Sequence, residues 1–196
     1  MVAGGFAGGP LALSLGHGMM RAVVVTERHR LREKLPELGA AARTLAMRGV
    51  PREVRLPGWT GPTFFSSELA DGRLRTLEQF AGAGGAETAG VAGWVLGSMR
   101  DPLSWDDEPS AVFVLERASG RVLLVDLEQG QRPTFVSSSA GLFLDAVDVF
   151  LQWWGGEEPL QDRLKRIRTD LARIDPPAMA SPQNHWPQWL EDLREV

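Results

Sequence analysis

The stretch AVFVLERASGRVLLVDLE, Ala111 to Glu128, decides the fold. Two apolar runs, Ala111 to Leu115 and Arg121 to Leu127, flank Arg117-Ala118-Ser119-Gly120, where the glycine supplies the positive φ that a hairpin turn wants. The segment therefore reads as a central β-hairpin. Its runs are nearly continuous in Val, Leu and Phe instead of alternating with polar residues, so apolar material is expected against both faces of the pair. Downstream, Thr134 to Val136 reads as a third short strand, and Ser137-Ser138-Ser139 offers hydroxyls to cap the unpaired N–H groups of a helix start. Phe143, Val147, Phe150, Leu151 and Trp154 then recur at helical spacing, with Asp145, Asp148 and Gln152 off that stripe. A helix packed on a sheet is the natural product.

Upstream, Ala22 to Val25 reads as a short strand and Thr26 as the cap of a polar helical turn running to Lys34. Pro36 suits the first position of a helix whose apolar side is Leu38, Ala42 and Leu45; Gly49 ends it, and Val50-Pro51 marks the stop. Pro57 to Pro62 is rich in turn formers, with Trp59 expected as core or loop cover. Leu69 to Phe80 fits a strand or a short helix. The glycine-rich run Ala81 to Gly93 lacks both the Gly-Lys-Ser/Thr of a phosphate cradle and the spacing of a dinucleotide fingerprint, and reads as a flexible loop. Trp94 to Gly97 is a further strand. Beyond the core helix, Gly155-Gly156 breaks the pattern and Pro159 starts a helix with Leu160, Leu164, Ile167, Leu171 and Ile174 in line and an Asp162 to Arg166 pair at i,i+4. That stripe lasts only two heptads, which favours docking on the parent domain over a coiled coil. After Pro176-Pro177, the residues Trp186, Trp189, Leu190 and Leu193 define a last short helix with Asn184 as its cap.

A chain of 196 residues, 43% of them hydrophobic, has room for one real core. The expected organisation is a disordered leader over residues 1–20 and a single domain over 21–196, with 157–196 as a helical extension. The fold class is α+β, a single twisted sheet, mixed or antiparallel, flanked by helices. There are no cysteines, which excludes thiol chemistry and zinc thiolate sites and fits a reducing cytoplasm. The leader has neither the basic start of a signal peptide nor an apolar run long enough to cross a membrane. His17, His29 and His185 are scattered, and no G-x-S-x-G elbow surrounds the serines, so a catalytic triad has little to stand on. The reading is therefore a protein that is not an enzyme and carries no cofactor and no metal. Arg28, Arg30, Arg32 and Lys34 crowd together but come without a stacking platform or a known motif, so no nucleic-acid partner is expected.

The net charge of −4 hides a division: residues 1–56 sum to +5, residues 57–156 to −7 and the remainder to −2. The most suggestive surface feature lies in the acidic middle, where Asp101, Asp106, Asp107 and Glu108 surround Trp105. Calcium-loop spacing and its closing Glu are missing, which argues against a cation site. An ordinary exposed loop and an interface hot spot facing a basic partner both fit, and these five residues are the candidate partner-binding site.

Several motifs in order carry a resemblance. Leu35-Pro36 leads to a helix and then Gly49-Val50-Pro51; a W-V-L-G strand follows at Trp94 to Gly97, the hairpin at Ala111 to Asp126, and F-V-S-S-S into a helix at Phe135 to Phe143. This set resembles the SUKH superfamily, the Smi/Knr-like and Syd-like proteins, in the clade common in GC-rich bacteria, and Ile174 to Leu190 resembles that clade's C-terminal extension. The resemblance implies an α+β domain without a catalytic centre, acting as a cytoplasmic immunity protein that binds and neutralises a cognate toxin, often a nuclease or deaminase. An acidic surface suits such a toxin, whose Arg and Lys grip phosphates. A non-enzymatic scaffold or regulatory domain of the same fold is the alternative reading.

Overall fold

The computed structural model of the chain describes residues 25–33, 35–54, 63–69, 72–81, 90–100, 109–127, 132–154 and 156–194. At its centre is the expected hairpin. β6 (Pro109–Glu116) and β7 (Val122–Asp126) pair with Ala111 opposite Asp126 and Leu115 opposite Val122, and Gly120 turns at φ 71°. β1 (Val25–His29), β2 (Val50–Val54), β3 (Thr63–Ser67), β5 (Gly93–Arg100) and β8 (Thr134–Ser137) complete a sheet ordered β1-β2-β3-β5-β6-β7-β8. The two-residue β4 (Arg75–Thr76) pairs with the first half of β5, in line with β3 on the second half. Every pairing is antiparallel, so the protein is α+β with one antiparallel sheet flanked by helices.

Both faces of the hairpin are covered, which explains its unbroken apolar runs. Phe113 and Leu115 join Phe65, Leu96, Val122 and Val136 beneath α3 (Ala140–Trp154), and the rings of Phe65, Phe113 and Phe143 lie 5.3 to 5.7 Å apart. Val112 and Val114 turn the other way, with Val95 and Val125, beneath Leu77 and Phe80 of the one-turn helix α2 (Leu77–Ala81). Gly97, the glycine of the W-V-L-G strand, is dictated by this packing. A Cβ there would stand 2.3 Å from the Phe65 ring and 2.6 Å from the carbonyl oxygen of Ser66.

The serines do cap α3. Ser139 Oγ accepts from the N–H of Leu142 at 3.2 Å, satisfying one of the donors a helix start leaves over. α4 (Leu160–Ile174) buries Leu164, Ile167 and Leu171 and docks on α3, as the narrow stripe predicts. α5 (Pro176–Met179) and α6 (His185–Asp192) close the same side. α6 delivers the fully buried Trp186, whose ring lies 5.3 Å from Phe150 and 6.5 Å from Phe143.

Four local expectations are corrected. The helical turn expected from Thr26 is strand β1, because its backbone finds a ladder on β2, with Thr26 opposite Glu53 and His29 opposite Val50. The helix expected at Pro36 is a 3-10 turn, Pro36–Leu38, broken by Gly39 at φ 49° before α1 (Ala40–Arg48) begins. Asn184 stands at the start of α6, but its side chain donates backwards to the carbonyls of Pro177 and Ala178 and accepts nothing from the new helix. Arg166 pairs with Glu158 at 3.0 Å instead of Asp162, and lies over the ring of Trp153 at 4.9 Å. The ambiguous Leu69 to Phe80 holds both β4 and α2. The leader, Pro57 to Pro62 and most of the glycine-rich run lie outside the described residues.

Candidate functional site

Asp101, Trp105, Asp106, Asp107 and Glu108, the residues singled out by sequence, lie outside the described residues, but the chain on either side of them is placed. Arg100 ends β5 and Pro109 opens β6, opposite each other in the ladder. The register sets this end of the sheet beside two other connections. Thr63 stands opposite Arg100, one strand from Val54 at the end of β2, while Asp126 and Thr134 bound the link between β7 and β8. The acidic segment is thus rooted where three inter-strand connections leave the same rim.

Arg100 is held at that rim by an acid that sequence reasoning missed. Where β3 stops and β4 has not begun, Glu68 turns inward with its side chain 9% exposed. Oε1 accepts from Ser98 Oγ at 2.7 Å and from Arg100 at 2.8 Å, and Oε2 accepts from Arg75 at 2.8 Å. Its backbone N–H donates to the Leu96 carbonyl at 3.2 Å, so the residue belongs to the sheet as well as to the ion pairs. A buried carboxylate persists only when paired and hydrogen-bonded, and this one has both. Glu68→Gln should cost about 2 kcal/mol, below the usual range for breaking a buried pair because both arginines keep access to water. Chemical denaturation measures it, and an unchanged midpoint would deny the cluster a structural role. No local signal marks Glu68, whose partner Arg100 is 32 residues away.

The charge division read from the sequence is partly cancelled in space. Asp145 and Asp148 of α3, from the acidic middle, pair with arginines of the basic start: Arg48 bridges both at 2.6 and 2.9 Å, and Arg28 pairs with Asp148 as well. A second buried acid, Asp175, ties the α4–α5 corner to the head of α3, accepting from the N–H and hydroxyl of Ser138 at 2.8 and 2.7 Å. The triple serine thus has two structural duties.

Of the histidines, His185 is buried against aromatic rings, and burial pushes its pKa down from 6.5 to about 3, so it stays neutral and is no proton shuttle near pH 7. A shallow groove of about 610 Å³ between α3 and α4 is lined by Trp153, Glu158, Asp162, Lys165, Arg166 and Asp170. Of its charged groups, Arg166 pairs with Glu158 at 3.0 Å and Asp170 accepts the Trp153 indole N–H at 2.9 Å.

These features define a class: an α+β protein on one antiparallel sheet, its buried carboxylates engaged in ion pairs and hydrogen bonds. Among the described residues no group of three His, Asp or Glu side chains is placed to hold a metal. The chain belongs to the SUKH-4 immunity protein family, whose family model matches residues 7–192. Membership brings toxin immunity as the general role and a toxin as the general partner. No curated protein and no solved structure matches the chain.

Proposed function

We propose that this chain neutralises a cognate toxin by binding it through the acidic segment Asp101 to Glu108, with Trp105 as anchor, and catalyses nothing itself. Family membership over residues 7–192 carries this reading. Charge supports the choice of surface: the segment holds four carboxylates, and a toxin acting on a phosphate backbone, a nuclease or nucleic-acid deaminase, presents Arg and Lys to them. The rim position of Arg100 and Pro109 supports it too, since a connection leaving the sheet end beside two others can meet a partner without disturbing the core. Action in the cytoplasm, where an incoming toxin finds its target, completes the proposal. No helix among the described residues is long and apolar enough to cross a membrane.

The test is association with the product of the adjacent gene, by stopped-flow fluorescence. Asp106→Lys, Asp107→Lys and Glu108→Lys together should slow association by about tenfold or more and flatten its dependence on salt, because steering acts on the on-rate. Unchanged kinetics would remove this segment from the interface. Absence of any complex, together with binding to a resident cellular protein, would favour the scaffold reading.

A further inference from the structure

We propose a second interaction surface of opposite sign, on α1, that takes an acidic protein segment bearing an apolar side chain. It stands independently of the acidic rim. Met47 is 69% exposed and is the one large hydrophobic side chain the described residues leave in water. Arg43 precedes it by one helical turn on the same exposed stripe. The end of β1 runs alongside: the Leu31 N–H donates to the Leu45 carbonyl at 3.3 Å, and Arg30 Cγ lies 3.2 Å from where a Cβ on Gly49 would stand. Arg30 and Arg32, on either side of Leu31, are both exposed.

Charge complementarity decides the occupant. Two further arginines of this region, Arg28 and Arg48, are already neutralised by Asp148 and Asp145 of α3. Among the described residues Arg30, Arg32 and Arg43 take part in no ion pair, while Glu33 is engaged by Arg73 at 2.9 Å and Glu37 stands exposed in the turn before α1. A thioether with Arg43 one turn away on its own helix, Arg30 packed at the end of that helix against Gly49, and Arg32 beyond it with its stem against Gly72 has the composition of an interface core, which is rich in Met and Arg and poor in Lys and Glu. Met supplies adaptable apolar contact, and Arg supplies forked donors that match carboxylates. Nucleic acid fits less well. None of these residues is an aromatic platform on which a base could stack, and a phosphate backbone gives Met47 nothing to pack against.

The probe is a fluorescein-labelled peptide alternating Glu and Leu, titrated into the full chain beside an oligothymidylate of equal charge. The peptide should bind more tightly than the oligonucleotide, and amide shifts should concentrate on Arg43 to Gly49 and Arg30 to Arg32. Arg30→Glu with Arg43→Glu should weaken peptide binding about tenfold and Met47→Ala about threefold, with circular dichroism unchanged because all three side chains are exposed. Tighter binding of the oligonucleotide, equal peptide binding by the charge-reversed variant, no binding of the peptide, or shifts confined elsewhere would each overturn the proposal.

Discussion

Trp186→Ala is expected to destabilise the protein by about 3–5 kcal/mol, the range for truncating a fully buried large aromatic residue. The indole is fully buried, stacked on Phe150 and beside Phe143, so its loss opens a cavity where α6 meets the core helix. Neighbours cannot easily collapse into it, because Phe143 is held in turn by Phe65 and Phe113 of the sheet. Urea denaturation should show a lower midpoint with little change in slope. Met47→Ala, at an exposed site, should stay within about half a kcal/mol of the parent and serves as the control. A Trp186→Ala midpoint equal to that control would mean that the C-terminal helices are not part of the cooperative fold.

The next largest effect is acid sensitivity set by His185. Its ring stands edge-on to Phe113 at 5.5 Å and to Trp186 at 4.9 Å, and stacks on Trp189 at 6.0 Å, an enclosure that offers an imidazolium no water. Burial lowers the folded-state pKa to about 3, whereas the unfolded chain protonates this residue near 6.5. Between those values the unfolded state binds the extra proton, so stability falls as pH falls, by roughly 1 kcal/mol per pH unit. Above 6.5 the residue is neutral in both states and contributes no slope. His185→Leu keeps a similar apolar volume and removes the proton site. Its stability should therefore decline less steeply than the parent's from about pH 6 to about pH 4. Parallel declines would refute the assignment.

Local pattern made much of the fold legible. The hairpin at Ala111 to Asp126, the Ser139 cap and the stripes of α3 and α4 are each written within one or two turns of chain, where periodicity and turn chemistry act. The misreadings share one cause. Val25–His29 carries no alternation of its own and becomes a strand only by pairing with residues some 25 positions on. Asn184 carries a cap's chemistry, yet the carbonyls of α5 lie closer to hand. Of the candidate site, the acidic segment around Trp105 is visible as composition alone, and the acid that secures its root is not.

By itself the amino-acid order determined the helix-on-hairpin core, the lack of thiol chemistry and the family. Apolar spacing, turn residues and composition are properties of neighbouring positions. Only the tertiary structure decided that Glu68 is buried between Arg75 and Arg100, and that Arg28 neutralises an aspartate 120 residues away. It also decided that, among the described residues, Arg30, Arg32 and Arg43 find no ion-pair partner, while Met47 one turn beyond Arg43 is left in water. The physical reason is that charge pairing depends on distance in space, and the order of strands in the sheet sets which distant residues come within reach.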